Sequence, residues 1–212
     1  MNNLEQVLNE SNPLIGILRG IETKDVIAVS KVLIEEGITI IEVPLNSPNA
    51  LGSIRLLVKE FGDQYLVGAG TVTKRSEAED VIATGAKLIV TPNYNQDVVT
   101  LAVENNCLVF PGVVTPTEAF NAIADGASGI KIFPVTVLGL AGFKALKSVL
   151  PSSVKIFPVG GIDATEESMG PYLSNGAYGF GIGGSLFTPD LSVEEIRERA
   201  RGFVNAYKKA KK

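Results

Sequence analysis

The sequence predicts a (β/α)8 barrel, and three observations support this fold class. Eight short runs rich in Ile, Val and Leu recur along the chain with little polar alternation, as in strands buried on both faces of a parallel sheet. Segments with helical spacing of apolar residues lie between these runs. The length of 212 residues falls at the small end of this fold, which starts at about 200 residues. The predicted strands are residues 14–18, 38–43, 65–67, 88–90, 108–110, 129–133, 155–159 and 178–182.

Helix signals follow the same alternation. Residues 26–34 and 51–58 place apolar side chains at helical spacing. The run Thr115-Pro116-Thr117-Glu118 is typical of a helix start with proline at the first helical position. Ser192 and Glu195 have the spacing of a capping box, which predicts a last helix over residues 193–209.

A doubly wound open sheet is the alternative fold. Against it, no Gly-x-Gly-x-x-Gly turn follows the first predicted strand. Because no linker or low-complexity stretch divides the chain, we expect residues 1–212 to form a single domain.

Composition excludes several functional classes. The net charge of −4 does not favour nucleic acid, no apolar run is long enough to cross a membrane, and the first residues lack the pattern of a signal peptide. Cys107 is the only cysteine, which rules out an intrachain disulfide and is typical of a cytoplasmic protein. Histidine is absent, which excludes Ser-His-Asp and Cys-His schemes and the usual zinc ligands. With no clustered acidic motif at a strand end, we expect neither a metal nor a cofactor.

The ends of the predicted strands carry a small set of reactive groups. Catalytic side chains of a barrel gather at the carboxyl ends of its strands. Among the residues at these ends, only Arg19, Glu42 and Lys131 are charged at neutral pH. They supply one cation for binding, one carboxylate for proton transfer and one amine for nucleophilic attack. A salt bridge between Arg19 and Glu42 at the rim is the plain alternative for that pair.

Lys131 lies inside an apolar run, between Ile130 and Ile132. A buried lysine has a lowered pKa, and its neutral amine attacks carbonyl groups. The alternative is a strand-end lysine whose amine reaches water. The same five residues, Lys-Ile-Phe-Pro-Val, recur at Lys155, but that copy directly follows a turn at residues 151–153 and is expected at the opposite, amino end of its strand.

Two glycine pairs follow the last two predicted strands, and turns at these positions are the frequent phosphate site of a barrel. Gly160 and Gly161 form one turn, and Gly183 and Gly184 form the other. Glycine lets several backbone N–H groups approach an anion, and the hydroxyl of Ser185 would add a donor. The alternative is that these glycines only permit tight turns. Thr71, after the third strand, would in the same plain reading cap the following helix.

At these strand ends the chain resembles the Schiff-base aldolases of 2-dehydro-3-deoxy-6-phospho-sugar acids, which include the phosphogluconate and phosphogalactonate enzymes. The resemblance spans nearly the whole chain. It is carried by Gly16-Ile-Leu-Arg-Gly-Ile21, Ile41-Glu-Val-Pro-Leu-Asn-Ser-Pro48, Val67-Gly-Ala-Gly-Thr-Val72, Ile89-Val-Thr-Pro-Asn93, Phe110-Pro-Gly112, Thr117-Glu-Ala-Phe120, Ile130-Lys-Ile-Phe-Pro134 and Val159-Gly-Gly-Ile162.

The resemblance implies a small trimeric barrel that cleaves a phosphorylated 2-keto-3-deoxy acid to pyruvate and glyceraldehyde 3-phosphate. It implies that Lys131, rather than Lys155, is the Schiff-base residue and that Glu42 transfers protons. The substrate contacts that it implies are Arg19, Thr71, Pro92, Gly160, Gly161, Gly183, Gly184 and Ser185.

Branch-specific positions concern the sugar acid. The phosphogluconate branch typically has Arg at the position of Asn46 and Thr at the position of Val159, whereas residues 45–48 and 144–151 resemble the phosphogalactonate branch. We therefore expect phosphogalactonate preference, with a phosphogluconate or dual-specificity enzyme as the alternative. Residues 135–138 depart from both branches. A non-catalytic phospho-sugar-binding barrel and a metal-free phospho-sugar isomerase are the rivals from other functional classes.

Overall fold

Parallel strands alternate with helices along the chain in the computed structural model, which describes residues 4–10 and 12–212. The strands are β1 Leu14–Ile17, β2 Ile40–Pro44, β3 Leu66–Gly70, β4 Leu88–Val90, β5 Leu108–Phe110, β6 Gly112–Val113, β7 Ile130–Ile132, β8 Ile156–Pro158 and β9 Phe180–Ile182. The helices are α1 Leu4–Glu10, α2 Val26–Glu35, α3 Ala50–Phe61, α4 Arg75–Ile82, α5 Gln96–Glu104, α6 Pro116–Ala124, α7 Val135–Val149, α8 Glu166–Leu173 and α9 Val193–Ala210.

The strands form two parallel sheets. One has six strands in the order β5-β4-β3-β2-β1-β9, and the other has three in the order β6-β7-β8. This is a curled, (β/α)8-like arrangement. The closed barrel expected from the sequence is not observed, because the ladder of hydrogen bonds between the strands is interrupted at two gaps. Between β8 and β9 the ladder is reduced to one bridge, from Val159 to Gly181.

The second gap in the ladder lies between β5 and β6. Its local cause is Pro111, which separates these two strands. Proline has no backbone N–H to donate to a ladder. Beyond it, the N–H of Gly112 donates to the side-chain hydroxyl of Thr91 at 3.3 Å, so that a side chain stands in for the missing ladder partner. The sequence analysis predicted a strand over residues 108–110, which is β5, and did not predict β6.

Every strand residue is buried, as predicted from the continuous apolar runs. One apolar cluster lies between the sheets and the surrounding helices. A second lies inside the curl of the sheet, where Ile15, Ile40, Leu66 and Phe157 pack together. Leu8 of α1 is fully buried in this inner cluster, so α1 covers the amino ends of the strands. Burial of one such leucine contributes about 1.5–3 kcal/mol.

Two helices begin with the capping residues that the sequence predicts. Thr115 and Glu118 form a capping box at the start of α6, where Pro116 is the first helical residue. Ser192 and Glu195 form another at the start of α9. Each box satisfies backbone N–H groups that have no partner within the helix. α7 is interrupted at Gly139, whose φ of 63° is not helical. None of the described helices is long and apolar enough to span a membrane.

Candidate active site

Lys131 lies in the middle of β7, beside Gly112 of β6 and Phe157 of β8. Paired residues of neighbouring parallel strands share a face, so Lys131 points the same way as Phe157, into the inner cluster. Only 5% of Lys131 is exposed, and its Nζ lies 4.6 Å from the centroid of the Phe133 ring. The amine therefore ends beside an aromatic face rather than extending into bulk water.

Glu42 lies in β2 and is 1% exposed. Among the residues that the structure describes, none forms a hydrogen bond with its Oε2. The carboxyl group packs directly on Gly70 at the end of β3, where a Cβ atom would overlap it. Gly70 therefore makes room for the carboxylate, a role that the sequence analysis did not recognise. A buried acceptor without a partner is costly, and such costs are typical of functional sites.

Burial shifts the pKa values of Glu42 and Lys131 in the directions that favour their neutral forms. Loss of hydration raises the pKa of Glu42, although the positive charges of Lys131 and Arg19 oppose that rise. Loss of hydration lowers the pKa of Lys131; the Glu42 charge opposes this effect and the Arg19 charge adds to it. Burial therefore opposes the presence of both charges in this interior, whereas their mutual attraction favours it.

Arg19 follows β1 and is exposed at the rim. Its Nη1 donates to Oδ1 of Asn46 at 2.6 Å, and its Nη2 lies 3.5 Å from Oγ1 of Thr71. The alternative salt bridge between Arg19 and Glu42 is not among the ion pairs of the described residues. Asn46 was noted in the sequence only as a branch-specific position, and its contact with Arg19 was missed.

Thr71 has a φ of 56°, in the left-handed region. A β-branched residue rarely adopts this conformation, and such strain is often found at functional sites. The plain alternative, in which Thr71 caps the next helix, is wrong because Lys74 is the N-cap of α4. The hydroxyl of Thr71 lies beside Arg19 instead.

A cleft of about 390 Å³ opens at the carboxyl ends of the strands. Most of the residues predicted for the site line it together, namely Arg19, Lys131, Gly160, Gly161, Gly183, Gly184 and Ser185. Glu42, Thr71 and Pro92 are not part of its lining; Pro92 follows β4. A larger cleft of about 650 Å³, near Tyr178 and Tyr207, contains none of the predicted residues.

The glycine turns present backbone donors to the cleft. Gly160 and Gly161 have φ values of 94° and 70°, which favour glycine, and a Cβ at Gly183 or Gly184 would meet open space. Within the described part of the chain, the N–H groups of Gly161, Gly184 and Ser185 donate no hydrogen bond to the protein. Free N–H groups in such turns form an anion-binding nest.

The Ser185 side chain differs from the expectation. Its hydroxyl donates to the carbonyl oxygen of Ile162 at 3.0 Å, so in this conformation its proton is directed at the protein rather than into the cleft. The bond joins the two glycine turns to each other. No group of three or more His, Cys, Asp or Glu side chains suited to a metal ion occurs in residues 4–10 and 12–212.

Comparison with known proteins identifies the class of enzyme. The family described as "Aldolase: KDPG and KHG aldolase" matches residues 4–198. The chain belongs to this family and is an aldolase, which confirms the family recognised from the strand-end motifs.

The chain is also similar to individual relatives over most of their length. The chain is 42% identical over 198 residues to the 2-dehydro-3-deoxy-6-phosphogalactonate aldolase of Escherichia coli K12, covering 93% of this chain and 96% of that protein. It is 43% identical over 195 residues to a probable 2-dehydro-3-deoxy-6-phosphogalactonate aldolase of Rhizobium meliloti, covering 92% and 91%. Among solved structures, "Native KDPGal structure" superimposes with a TM-score of 0.90 at 42% identity, covering 93% of this chain and 95% of that chain.

Proposed function

We propose that this protein cleaves 2-dehydro-3-deoxy-6-phosphogalactonate to pyruvate and glyceraldehyde 3-phosphate through a Schiff base on Lys131. The observation that carries the proposal is a lysine with 5% exposure in the same cleft as two glycine turns, with a buried carboxyl group close enough to affect its pKa. The two phosphogalactonate aldolases that are 42% and 43% identical support the choice of substrate.

The reaction begins when the neutral amine of Lys131 attacks the C2 carbonyl of the keto acid. Glu42 gives a proton to the departing hydroxyl group, so that water leaves, an iminium ion forms and Glu42 becomes a carboxylate. Glu42 removes the proton of the C4 hydroxyl, directly or through a water molecule, and the C3–C4 bond breaks with the iminium as electron sink. Glyceraldehyde 3-phosphate departs, Glu42 returns a proton to the enamine carbon, and hydrolysis releases pyruvate. One carboxyl group can serve both transfers because the first leaves it protonated for the second.

The charge state of the site suits this sequence. Because burial lowers the pKa of Lys131, the reactive amine is present at a pH where an exposed lysine is an ammonium ion. The raised pKa of Glu42 favours a carboxyl group that can hold a proton and release it again during turnover. Arg19 and Thr71 contact the substrate at the rim, Pro92 borders it, and the glycine turns bind its phosphate group.

Val159 is the residue that we assign to recognition of the C4 configuration. It lines the cleft between Lys131 and the first glycine turn, is 4% exposed, and contacts Gly181. A hydrophobic side chain in place of a hydroxyl changes which epimer is favoured, although discrimination of this kind is worth only about 1–3 kcal/mol. A phosphogluconate aldolase or a dual-specificity enzyme is therefore the second candidate, favoured by the 30% identity to a 2-dehydro-3-deoxy-phosphogluconate aldolase.

The same proposal includes the assembly and setting of the enzyme. We infer that residues 1–212 form one domain and that three copies form a homotrimer in the cytoplasm, working without cofactor or metal. The family resemblance supports the trimer.

A comparison of kcat/KM for the two C4-epimeric phospho-acids tests the proposed function. We expect cleavage of both, with higher kcat/KM for the galactonate, and no loss of activity after treatment with EDTA. Faster cleavage of the gluconate epimer would select the second candidate. Binding of phosphate esters without cleavage would indicate the non-catalytic barrel, and interconversion of phospho-sugars without cleavage would indicate an isomerase.

A further inference from the structure

Two adjacent hydrogen bonds tie the loop after β2 to the loop after β1. Oδ1 of Asn46 accepts from Nη1 of Arg19 at 2.6 Å, and Oγ of Ser47 accepts from the backbone N–H of Gly20 at 2.9 Å. Ser47 is 7% exposed, so one of the two bonds is anchored in the protein interior. The second bond therefore holds the backbone of the Arg19 loop, and the first holds the Arg19 side chain.

The bond between Arg19 and Asn46 restricts a side chain that would otherwise sample many rotamers. Hydrogen bonds with a charged donor are shorter and stronger than neutral ones, and 2.6 Å is at the short end for this type. With Thr71 on its other nitrogen, the guanidinium is held between the loops after β2 and β3. From this position Arg19 lines the cleft that contains Lys131.

The chemical type of residue 46 matters as much as its position. An amide oxygen accepts the hydrogen bond without neutralising the guanidinium, so Arg19 keeps its full charge for an anionic substrate. A carboxylate would hold the side chain but cancel that charge, and an aliphatic residue would release it. Within the described chain, the only hydrogen bond of the Asn46 side chain is the one to Arg19.

We infer that Asn46 is a positioning residue, which acts on the reaction only through Arg19. The inference rests on the proposed function, because it assigns a supporting part to the residue that orients the substrate-binding arginine. Asn46 contributes to catalysis by keeping the guanidinium directed at the cleft with its charge intact.

A double-mutant cycle tests this role. In the wild-type background, Asn46→Ala should lower kcat/KM for the phosphogalactonate acid by about tenfold, mostly through KM. In the Arg19→Ala background the same substitution should change kcat/KM by less than about twofold, because the residue through which it acts is gone. Asn175→Ala is the matched control. Asn175 follows α8, its amide donates to the carbonyl oxygen of Pro171 within α8, and its loss should leave kcat/KM unchanged.

The Asp variant separates position from charge. Asn46→Asp keeps an acceptor at the same place, so it should restore the ordered Arg19 side chain. Its negative charge should move the pH profile of Schiff-base formation to higher pH, because the added carboxylate favours the ammonium form of Lys131.

Nitrogen-15 NMR of the arginine side chains gives a readout that does not depend on turnover. Rotation of the Arg19 guanidinium should be slow in the wild type and in Asn46→Asp, and fast in Asn46→Ala. Equal rotation in all three proteins overturns the inference whether or not the chain cleaves the phospho-acid. An Asn46→Ala effect that persists in the Arg19→Ala background also overturns it, whereas failure of the wild type to cleave either epimer refutes the proposed function alone.

Discussion

Two copies of the pentapeptide Lys-Ile-Phe-Pro-Val lie on neighbouring strands of this protein and have different surroundings. Lys131 is 5% exposed, next to the Phe133 ring in the cleft with the glycine turns. Lys155 donates to Glu5 of α1 at 2.6 Å and lies 5.7 Å from the centroid of the Tyr178 ring. The local sequence does not distinguish them; the register of the strands does.

The register places the two lysines in different layers of the same interior. Lys131 pairs with Phe157, so Lys155 lies two residues earlier along its chain, about 6–7 Å nearer the amino ends of the strands. Both side chains point to the same face, but the amino ends are covered by α1 and the carboxyl ends open into the cleft. The same residue therefore meets a partner carboxylate at one end and a binding cleft at the other.

The largest expected difference between the two copies is in catalysis. Lys131→Met should reduce cleavage by at least about a thousandfold and abolish trapping of pyruvate by borohydride, because it removes the nucleophile. Lys155→Met should change kcat by less than about threefold, since it removes only an ion pair with α1. Steady-state assays and mass spectrometry of trapped peptides measure both effects. A pyruvate adduct on Lys155 in the wild type would reverse the assignment.

The second-largest difference is expected between the carboxylates beside the two lysines, in their effect on proton exchange. Glu42→Gln should slow exchange of the pyruvate methyl protons by about a hundredfold, because an amide cannot carry the proton. Glu5→Gln, in contact with the other lysine, should leave the exchange rate unchanged. Exchange followed by NMR in deuterated water reports the proton transfer, and circular dichroism reports the fold. Wild-type exchange in Glu42→Gln would remove Glu42 from the mechanism.

The pH dependence of Schiff-base formation sharpens the contrast further. The pKa of Lys131 is lowered first by burial and also by the charge of Arg19, so its reactive amine forms below the pH at which a free lysine loses its proton. In Arg19→Ala, the neighbouring positive charge is removed and the pKa of Lys131 rises, so the rate profile should move to higher pH. Trapping of pyruvate by cyanoborohydride across a pH series measures the midpoint. A midpoint that moves to lower pH, or not at all, contradicts the electrostatic role of Arg19.

Much of the fold follows from local patterns in the sequence. The buried strands appear as apolar runs because both faces of the sheet are covered, and the caps at Thr115 and Ser192 depend only on residues three positions apart. Helix α1 was missed because seven residues are too few for a clear period, and it is stabilised by tertiary packing of Leu8. Strand β6 has two residues and follows a proline.

The candidate site, like the fold, could be predicted from the sequence only in part. The charged residues and glycines at strand ends could be named from sequence, because strand order brings those ends together. The bond between Arg19 and Asn46, the room that Gly70 leaves for Glu42, and the use of the Ser185 hydroxyl within the protein depend on rotamers and loop geometry. No spacing rule encodes such contacts between loops, so they required coordinates.

The smallest effect is on stability, and the two copies should differ in its sign. Replacing the interior pair by hydrophobic residues, in Lys131→Met with Glu42→Met, should raise the free energy of unfolding by about 1 kcal/mol, since two desolvated polar groups are removed together. Replacing the outer pair, in Lys155→Met with Glu5→Met, should lower it by less than about 1 kcal/mol, because that ion pair is partly exposed to solvent. Urea midpoints at constant m-value measure both changes. A loss of stability in the interior variant would mean that Lys131 and Glu42 stabilise the fold as well as the chemistry, and would contradict the view that this layer of the protein sacrifices stability for function.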